Sequence, residues 1–186
     1  MTMRHVATFK RSMKIIHIEK IIPDAYHGTT MENARSIVQG GHFKSSRGSD
    51  VYLGDGVYFY EASKWHAFEW AKRNYAGVDL GILRAWVNLG KCLDLNNYEH
   101  RLLLKQVRRE LLQRGVSEIT DAVVINFYAT NIEEFDTVRA PYTVSQRGMI
   151  FPGSKYHEFS QLIICVRNNK RIIKFQIIFE GKKYHA

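Results

Sequence analysis

Two short motifs carry the residue types in this chain that could do chemistry. The first is Tyr26-His27-Gly28-Thr29, and the second is Gly54-Asp55-Gly56-Val57-Tyr58-Phe59. A histidine can hydrogen-bond a hydroxyl group or accept a proton, and glycines let the backbone approach a ligand closely. Taken singly, a histidine or a tyrosine is more often structural than catalytic. We interpret the rest of the chain as the scaffold that brings the two motifs together.

The first motif stands at the junction of an extended segment and a helix. Thr29-Thr30-Met31-Glu32 fits a capping box, in which a threonine oxygen accepts a backbone N–H and Glu32 bonds back to the cap residue. Gly40-Gly41 supplies the left-handed residue that ends such a helix. His27 is therefore predicted to lie just before a helix N-terminus, at the end of an extended segment over 21–26.

The second motif is predicted to turn at its glycines and to enter a strand. Val57-Tyr58-Phe59-Tyr60 is a β-branched and aromatic run, which is typical of a strand. Ser63 is predicted to cap a second helix. The side chains of that helix that we expect to face the core are Trp65, Phe68, Ala71 and Tyr75.

Further elements are predicted in the middle of the chain. A strand is expected over 82–89, the segment 92–95 either extends it or adds an edge strand, and a long helix follows Asn97. The apolar stripe of that helix consists of Leu103, Val107 and Leu111. The apolar run 121–128 fits either a helix or a strand.

The C-terminal part is predicted to contain a long loop and a hairpin. The segment 135–155 is rich in turn-forming residues and is predicted to be a loop. Apolar strands over 162–166 and 171–179 are predicted to pair with each other through a turn at Asn168-Asn169.

Length and composition indicate a single domain over residues 1–186. The chain has 45% hydrophobic residues and can bury a sizeable core, with 1–14 as either a mobile basic arm or an ordinary frayed terminus. No apolar run approaches the roughly 18 residues of a membrane span, so we expect a cytoplasmic protein with no membrane contact. Cys92 and Cys165 lack metal-type spacing and are expected to be buried thiols, with no disulfide and no metal site.

The chain is strongly basic. It has 27 Lys and Arg against 18 Asp and Glu, which gives a net charge of +9. Such a charge attracts polyanions, either nucleic acid or an acidic antitoxin protein, and composition does not choose between them. The helix after Asn97 carries cations that either follow a phosphate backbone or form an ordinary solvated face: Arg101, Lys105, Arg108, Arg109 and Arg114.

His-Gly-Thr, then Gly-x-Gly-Val-Tyr-Phe, then a Ser-Lys helix rich in aromatic residues resembles the ADP-ribosyltransferases of the diphtheria-toxin and poly(ADP-ribose) polymerase type. Two of the three family motifs are distinctive here. The resemblance implies that His27 holds a hydroxyl of the nicotinamide ribose and that Tyr58 stacks on the nicotinamide ring. Gly28 would bind the carboxamide through its backbone, and Thr29 completes this cofactor-binding motif.

The resemblance also implies two further contacts to NAD. Phe68 would be the second stacking aromatic residue, with Trp70 as the weaker choice. Arg47 or Lys44, in a polar loop beside the site, would contact the pyrophosphate, although a solvated loop charge is the commoner explanation for such residues.

The third family position opens a late strand. Aligning it with Ser160-Gln161-Leu162 places Gln161 at the catalytic position, where many relatives have glutamate. The nearest acid, Glu158, lies three residues earlier, and residues three apart along a strand face opposite sides. We therefore prefer Gln161 as the third catalytic residue and keep Glu158 as the alternative.

The resemblance implies an α+β fold in which two packed antiparallel or mixed β-sheets, flanked by helices, enclose a central NAD cleft. NAD would be a co-substrate, and no metal would be needed. Gln161 can hydrogen-bond a ribose hydroxyl, but it cannot act as a general base or supply negative charge. This favours transfer of a single ADP-ribose over polymer synthesis.

A small basic domain of this kind resembles bacterial toxins of toxin–antitoxin or phage-defence systems. With the net charge, this favours nucleic acid as the acceptor, RNA over DNA, and implies a cognate antitoxin. Three alternatives stay open: transfer to a protein, an RNA 2′-phosphotransferase that shares the His-Gly-Thr element and consumes NAD, and an inactive binding module with an NAD fold.

Overall fold

The computed structural model describes residues 15, 17–143, 150, 151, 154 and 160–181. These residues form six strands, four α-helices and a short 3₁₀ helix, which confirms the predicted α+β class. The strands are β1 (His17–Thr30), β2 (Val57–Glu61), β3 (Leu80–Asp94), β4 (Thr137–Thr143), β5 (Ser160–Val166) and β6 (Ile172–Gly181). The helices are α1 (Met31–Gly40), α2 (Lys64–Asn74), α3 (Tyr98–Gln113) and α4 (Asp121–Asn131). The basic segment 1–14 lies outside the described residues.

The six strands form one mixed sheet rather than the two packed sheets predicted. Their order is β1-β2-β5-β4-β3-β6, and β1 also pairs with β3, so the ladders of five strands close into a ring. Within this sheet, β3 and β4 run parallel and the other pairs run antiparallel. The closure depends on β1 and β3, whose 14 and 15 residues pair with different strands along their lengths. Register shifts between them mark bulges, which let long strands bend.

The predicted C-terminal hairpin is wrong. β5 pairs with β2 and β4, whereas β6 pairs with β3. The chain is redirected after β5 because the backbone N–H groups of Arg167 and Asn168 donate to the carbonyl of Asp136, and a 3₁₀ turn over Asn169–Arg171 follows. The segment predicted as a loop from 135 onwards instead supplies strand β4.

The helix ends largely follow the predicted capping residues. Thr30, not Thr29, caps α1 and accepts from the N–H of Asn33, so Glu32 is exposed at the second helical position and the predicted capping box is wrong. Gly41 ends α1 with a φ of 71°, as predicted. α3 starts after Asn97 and buries its predicted stripe, and the ambiguous segment from 121 is a helix, α4.

Buried clusters on opposite faces of β2 hold the site-bearing strands. On one face, Val57 and Phe59 pack with α1 and with apolar residues of β1, β3 and β5. On the other face, α3 and α4 cover β4, β5 and the side of Tyr58. α2 packs against β1 and β3. In the described part of the chain, no helix is long and apolar enough to cross a membrane.

Candidate functional site

His27 lies where β1 and β2 separate. β1 pairs with β2 through Ala25 and Tyr26, but it continues beside β3 as far as Thr30. Beyond the last β1–β2 pair, Nδ1 of His27 lies 2.9 Å from the backbone oxygen of Tyr58. This hydrogen bond joins the first sequence motif directly to the second.

The His27 imidazole is held in one tautomer. Because a carbonyl oxygen only accepts, Nδ1 carries the hydrogen and the neutral ring keeps its lone pair on Nε2. Burial lowers the pKa of His27, and the hydrogen bond to the Tyr58 carbonyl opposes part of that effect. The ring centroid lies 5.5 Å from that of Phe43 and 5.6 Å from that of Phe59. Nε2 has no hydrogen-bond partner among the described residues and is free to accept one from a hydroxyl group.

Gly28 is required by helix packing. A Cβ at this position would lie 1.9 Å from the backbone oxygen of Ala67 and 3.1 Å from the Cβ of Ala71, both in α2. Thr29 is buried, and its hydroxyl accepts from the side-chain nitrogen of Asn33 at 3.4 Å. These contacts explain both residues structurally, and their roles in binding NAD stay predictions.

The Tyr58 hydroxyl closes the glycine turn that precedes it. It donates to the Gly54 carbonyl at 2.6 Å and accepts from the Leu53 N–H at 2.8 Å. Burial, with the Cys165 thiol nearby, raises the pKa of Tyr58. The hydroxyl is therefore occupied by the protein and the ring packs against the cluster that α3 and α4 cover, so the stacking of Tyr58 on nicotinamide stays a prediction.

Helix α2 begins at the predicted cap, Ser63, but its buried face differs from the prediction. Ala67 and Ala71 face β1, because close approach over Gly28 requires small side chains. Trp65, which lies on another side of the helix, is 51% exposed, so its predicted core position is wrong. Phe68 contacts Phe179 of β6 with 5.3 Å between ring centroids, which places it on the β6 side of α2.

Gln161 opens β5, where it lies opposite Tyr142 of β4. Its side-chain oxygen Oε1 is buried and has no hydrogen-bond partner among the described residues. In the ladders, Gln161 lies two strands from His27 and three residues further along, which corresponds to about 14 Å between Cα atoms in a flat sheet. An offset of three residues also puts them on opposite faces, because His27 contacts Phe59 whereas Gln161 shares the face of Tyr58 and Tyr60. The structure therefore does not bring the two side chains together. Glu158 lies outside the described residues.

Tyrosines that were not predicted as site residues line the face of the sheet that carries Tyr58 and Gln161. Tyr60 follows Tyr58 by two residues and therefore shares its face of β2, and burial raises the pKa of Tyr60 to about 12. Tyr52 contacts Tyr142 with 4.9 Å between ring centroids. Strand alternation was the signal that could have identified Tyr60, whereas Tyr52 and Tyr142 meet only through the fold.

Arg47 lines a cavity of about 610 Å³ beside Gly56, at the N-terminal end of β2. Two backbone hydrogen bonds between Ser46 and Gly56, of 2.9 and 3.0 Å, hold its loop there. Arg167 also lines this cavity and donates to the Asp55 carbonyl at 3.1 Å. The lining includes none of His27, Tyr58 and Gln161, and the pyrophosphate contact of Arg47 stays a prediction.

The described residues were also compared with the side-chain groupings that bind metals and with the environments of reactive thiols. Within the described ranges, no group of three His, Cys, Asp or Glu residues could hold a metal ion. Cys92 and Cys165 are buried free thiols, as predicted. Burial raises the pKa of Cys92 to about 11 and that of Cys165 to about 12, which disfavours the reactive thiolate.

Comparison with known proteins finds a relative in an archaeon. An uncharacterized protein of Methanocaldococcus jannaschii is 30% identical over 182 residues, an alignment that covers 81% of this chain and 85% of that protein. No family model and no solved structure matches the chain. The extent of the alignment shows that this chain belongs to the same protein family as the M. jannaschii protein.

Proposed function

We propose that the protein is an NAD-dependent mono-ADP-ribosyltransferase with an ADP-ribosyltransferase-like fold. The observation that carries this proposal is the adjacency of β1, β2 and β5, which bear His27, Tyr58 and Gln161 in that order across the sheet. Three motifs that are distant in sequence thus occupy neighbouring strands, and the hydrogen bond from His27 links two of them. Independent structural roles would not require this order.

Two hydrogen-bond acceptors that have no partner among the described residues suit hydroxyl groups of the dinucleotide. They are Nε2 of His27 and the buried Oε1 of Gln161. A buried acceptor left without a partner costs about 1–3 kcal/mol, a cost that a bound hydroxyl would remove. The two acceptors lie about 14 Å apart between Cα atoms and on opposite faces of the sheet, so they would contact different hydroxyl groups of the dinucleotide.

The main task of the enzyme in this reaction is to orient the dinucleotide. Transfer breaks the bond between ribose C1′ and the nicotinamide nitrogen, nicotinamide leaves with the bonding electrons, and positive charge develops on the sugar. The Tyr58 ring would hold the nicotinamide, and His27 would fix the ribose. Gln161 adds a hydrogen bond without negative charge, which is consistent with transfer of one ADP-ribose and not with polymer synthesis.

For the acceptor we favour nucleic acid, and RNA over DNA. On α3, Lys105, Arg108 and Arg109 are exposed and have no ion-pair partner among the described residues. In contrast, Arg101 donates to the Leu95 carbonyl and Arg114 pairs with a glutamate of the same helix. Unpaired cations on one helix face, in a chain of net charge +9, suit contacts to a phosphate backbone.

The biological role that fits this activity is that of a cytoplasmic toxin or phage-defence effector, restrained by a cognate antitoxin. Modification of RNA would arrest the growth of a cell that expresses the protein. Loss of arrest in the His27→Ala variant, at equal protein level, is the corresponding expectation.

The test is transfer from labelled NAD into separated pools of RNA, DNA and protein. Wild-type protein is compared with His27→Ala and Tyr58→Ala, and with His42→Ala as a matched control because His42 is an exposed loop residue. We expect label in RNA with wild type and with the control, and none with the other two variants. Label in protein alone would contradict the proposed acceptor, and absence of label in every pool from folded wild-type protein would contradict the proposed activity.

A further inference from the structure

One histidine on the face of Gln161 has no assigned role. His66, in the first turn of α2, stacks on Tyr60 with 6.1 Å between ring centroids and an interplanar angle of 25°. Its Nε2 is buried and has no hydrogen-bond partner in the part of the chain that the structure describes. A buried ring nitrogen without a partner is unusual in a structural histidine, because buried polar atoms are normally satisfied.

Tyr60 places His66 beside Gln161. In the β2–β5 ladder Tyr60 lies opposite Ile163, and Gln161 lies two residues from Ile163 on the same face. Such diagonal neighbours are about 7–8 Å apart, within reach of an aromatic side chain. His66 and Gln161, both with an unsatisfied buried atom, therefore flank the same tyrosine ring.

The serine cap of α2 orients the His66 ring. Ser63 Oγ lies 2.6 Å from Nδ1 of His66 and also accepts from the backbone N–H of His66 at 3.4 Å. A serine oxygen has two lone pairs, so it can accept from both the backbone N–H and an Nδ1–H. In that arrangement the free lone pair of the imidazole is on Nε2, the atom that has no partner. A base oriented by a hydrogen bond at its other nitrogen is a common design in enzymes.

We propose that His66 is a catalytic residue that accepts the proton lost by the acceptor group during ADP-ribose transfer. This inference rests on the proposed function and supplies a general base, a role that Gln161 cannot take. The acceptor atom attacks ribose C1′, the C1′–nitrogen bond breaks, and neutral nicotinamide leaves with the bonding electrons. The acceptor proton passes to Nε2 of His66 and then to solvent, so charge and atoms balance without another reactant.

The surroundings of His66 keep the imidazole neutral. Burial lowers the pKa of His66, and the charge of Arg73 on the same helix lowers it further. The phenols of Tyr60 in β2 and Tyr26 in β1 share the side of the sheet on which α2 packs, and burial raises the pKa of each. The charged groups beside them are paired, Asp24 with Arg84 and Glu61 with Arg139. Both phenols stay uncharged at neutral pH, so a neutral histidine is the state available to accept a proton.

The experiment compares wild type, His66→Gln and His42→Gln in two readouts, transfer to RNA and release of nicotinamide, from mildly acidic to mildly basic pH. Thermal unfolding checks that all three proteins fold. We expect His66→Gln to lose about 100-fold or more in transfer at neutral pH, the range of general-base catalysis. We also expect it to lack the fall in transfer that wild type shows towards acidic pH, and His42→Gln to match wild type.

A second variant separates loss of the base from loss of structure. In His66→Ala, added imidazole should restore transfer, and it should not do so in His27→Ala. Transfer by His66→Gln equal to wild type, an unchanged pH profile, or no rescue by imidazole would overturn the role of His66. Absence of nicotinamide release by wild type is a different outcome, because it would refute the proposed function itself.

Discussion

Replacing Gly28 by alanine tests whether this glycine is required by packing. An alanine Cβ would lie 1.9 Å from the Ala67 carbonyl oxygen and 2.8 Å from its carbon. Both are backbone atoms of α2, so no side-chain rotation can relieve the overlap. The helix would have to move away from β1, which would open the contact that Ala67 and Ala71 make with the sheet.

The expected cost follows from the size of this overlap. Overpacking a core typically costs about 1–3 kcal/mol, and a contact more than 1 Å too short against backbone belongs at the upper end. We therefore expect Gly28→Ala to lower the free energy of unfolding by about 3 kcal/mol. For a chain of this length, that corresponds to a fall in Tm of about 6–12 °C.

The assay is urea and thermal unfolding followed by circular dichroism, with Gly40→Ala as the matched control. Gly40 lies in α1, and a Cβ there would meet no atom within 4 Å. Alanine is the better helix former, so the control should be unchanged or more stable by about 0.5–1 kcal/mol. If Gly28→Ala proved as stable as Gly40→Ala, the packing explanation would be refuted. If Gly28→Ala then impaired only the turnover of NAD, the ligand-binding role of Gly28 would be favoured.

Three further changes test other parts of the structure. Arg139 pairs with Glu61 at 2.6 and 2.9 Å and with Asp94 at 3.0 Å. Arg139→Met leaves these two part-buried carboxylates unpaired, so it should lower the free energy of unfolding in urea by about 3 kcal/mol. An unchanged free energy of unfolding would contradict this. Tyr58→Phe removes the two hydrogen bonds of the hydroxyl and should lower the free energy of unfolding by about 1–3 kcal/mol, yet it should keep nicotinamide release. Tyr58→Ala should lose that release. Equal losses of release in the two variants would argue against a stacking role. Burial alone would raise the pKa of Asp136, but hydrogen bonds from an arginine, a backbone N–H and an asparagine lower it. Its stabilising effect is therefore present above the usual value of 3.8 and is lost as pH falls below it, so Asp136→Asn should flatten the acid side of the stability profile.

Local sequence patterns predicted the elements well where one residue decides the structure. Ser63 and Asn97 cap helices as predicted because their side-chain oxygens accept a backbone N–H of the first turn, whereas at α1 the pattern located the helix start but not the cap, which is Thr30. Gly41 ends α1 because glycine tolerates a positive φ. The apolar stripe of α3 and the aromatic run of β2 likewise specify a face without reference to the rest of the chain.

Features that depend on distant residues could not be predicted from these patterns. Strand pairing is one: the turn after β5 looks like a hairpin, yet hydrogen bonds to Asp136 send β6 to the edge of β3. The packing of α2 is another, because the clash at Gly28 shows only when Ala67 is placed above it. The same holds for the site, where the stacking of His66 on Tyr60 appears only when α2 is packed on the sheet.

The most direct test of the central claim is the release of nicotinamide from NAD by the purified protein in the presence of RNA, measured for wild type, His27→Ala and His42→Ala. We expect release by wild type and by His42→Ala, matched by label appearing in RNA, and none by His27→Ala. Equal release by His27→Ala, or no release by folded wild-type protein, would contradict it.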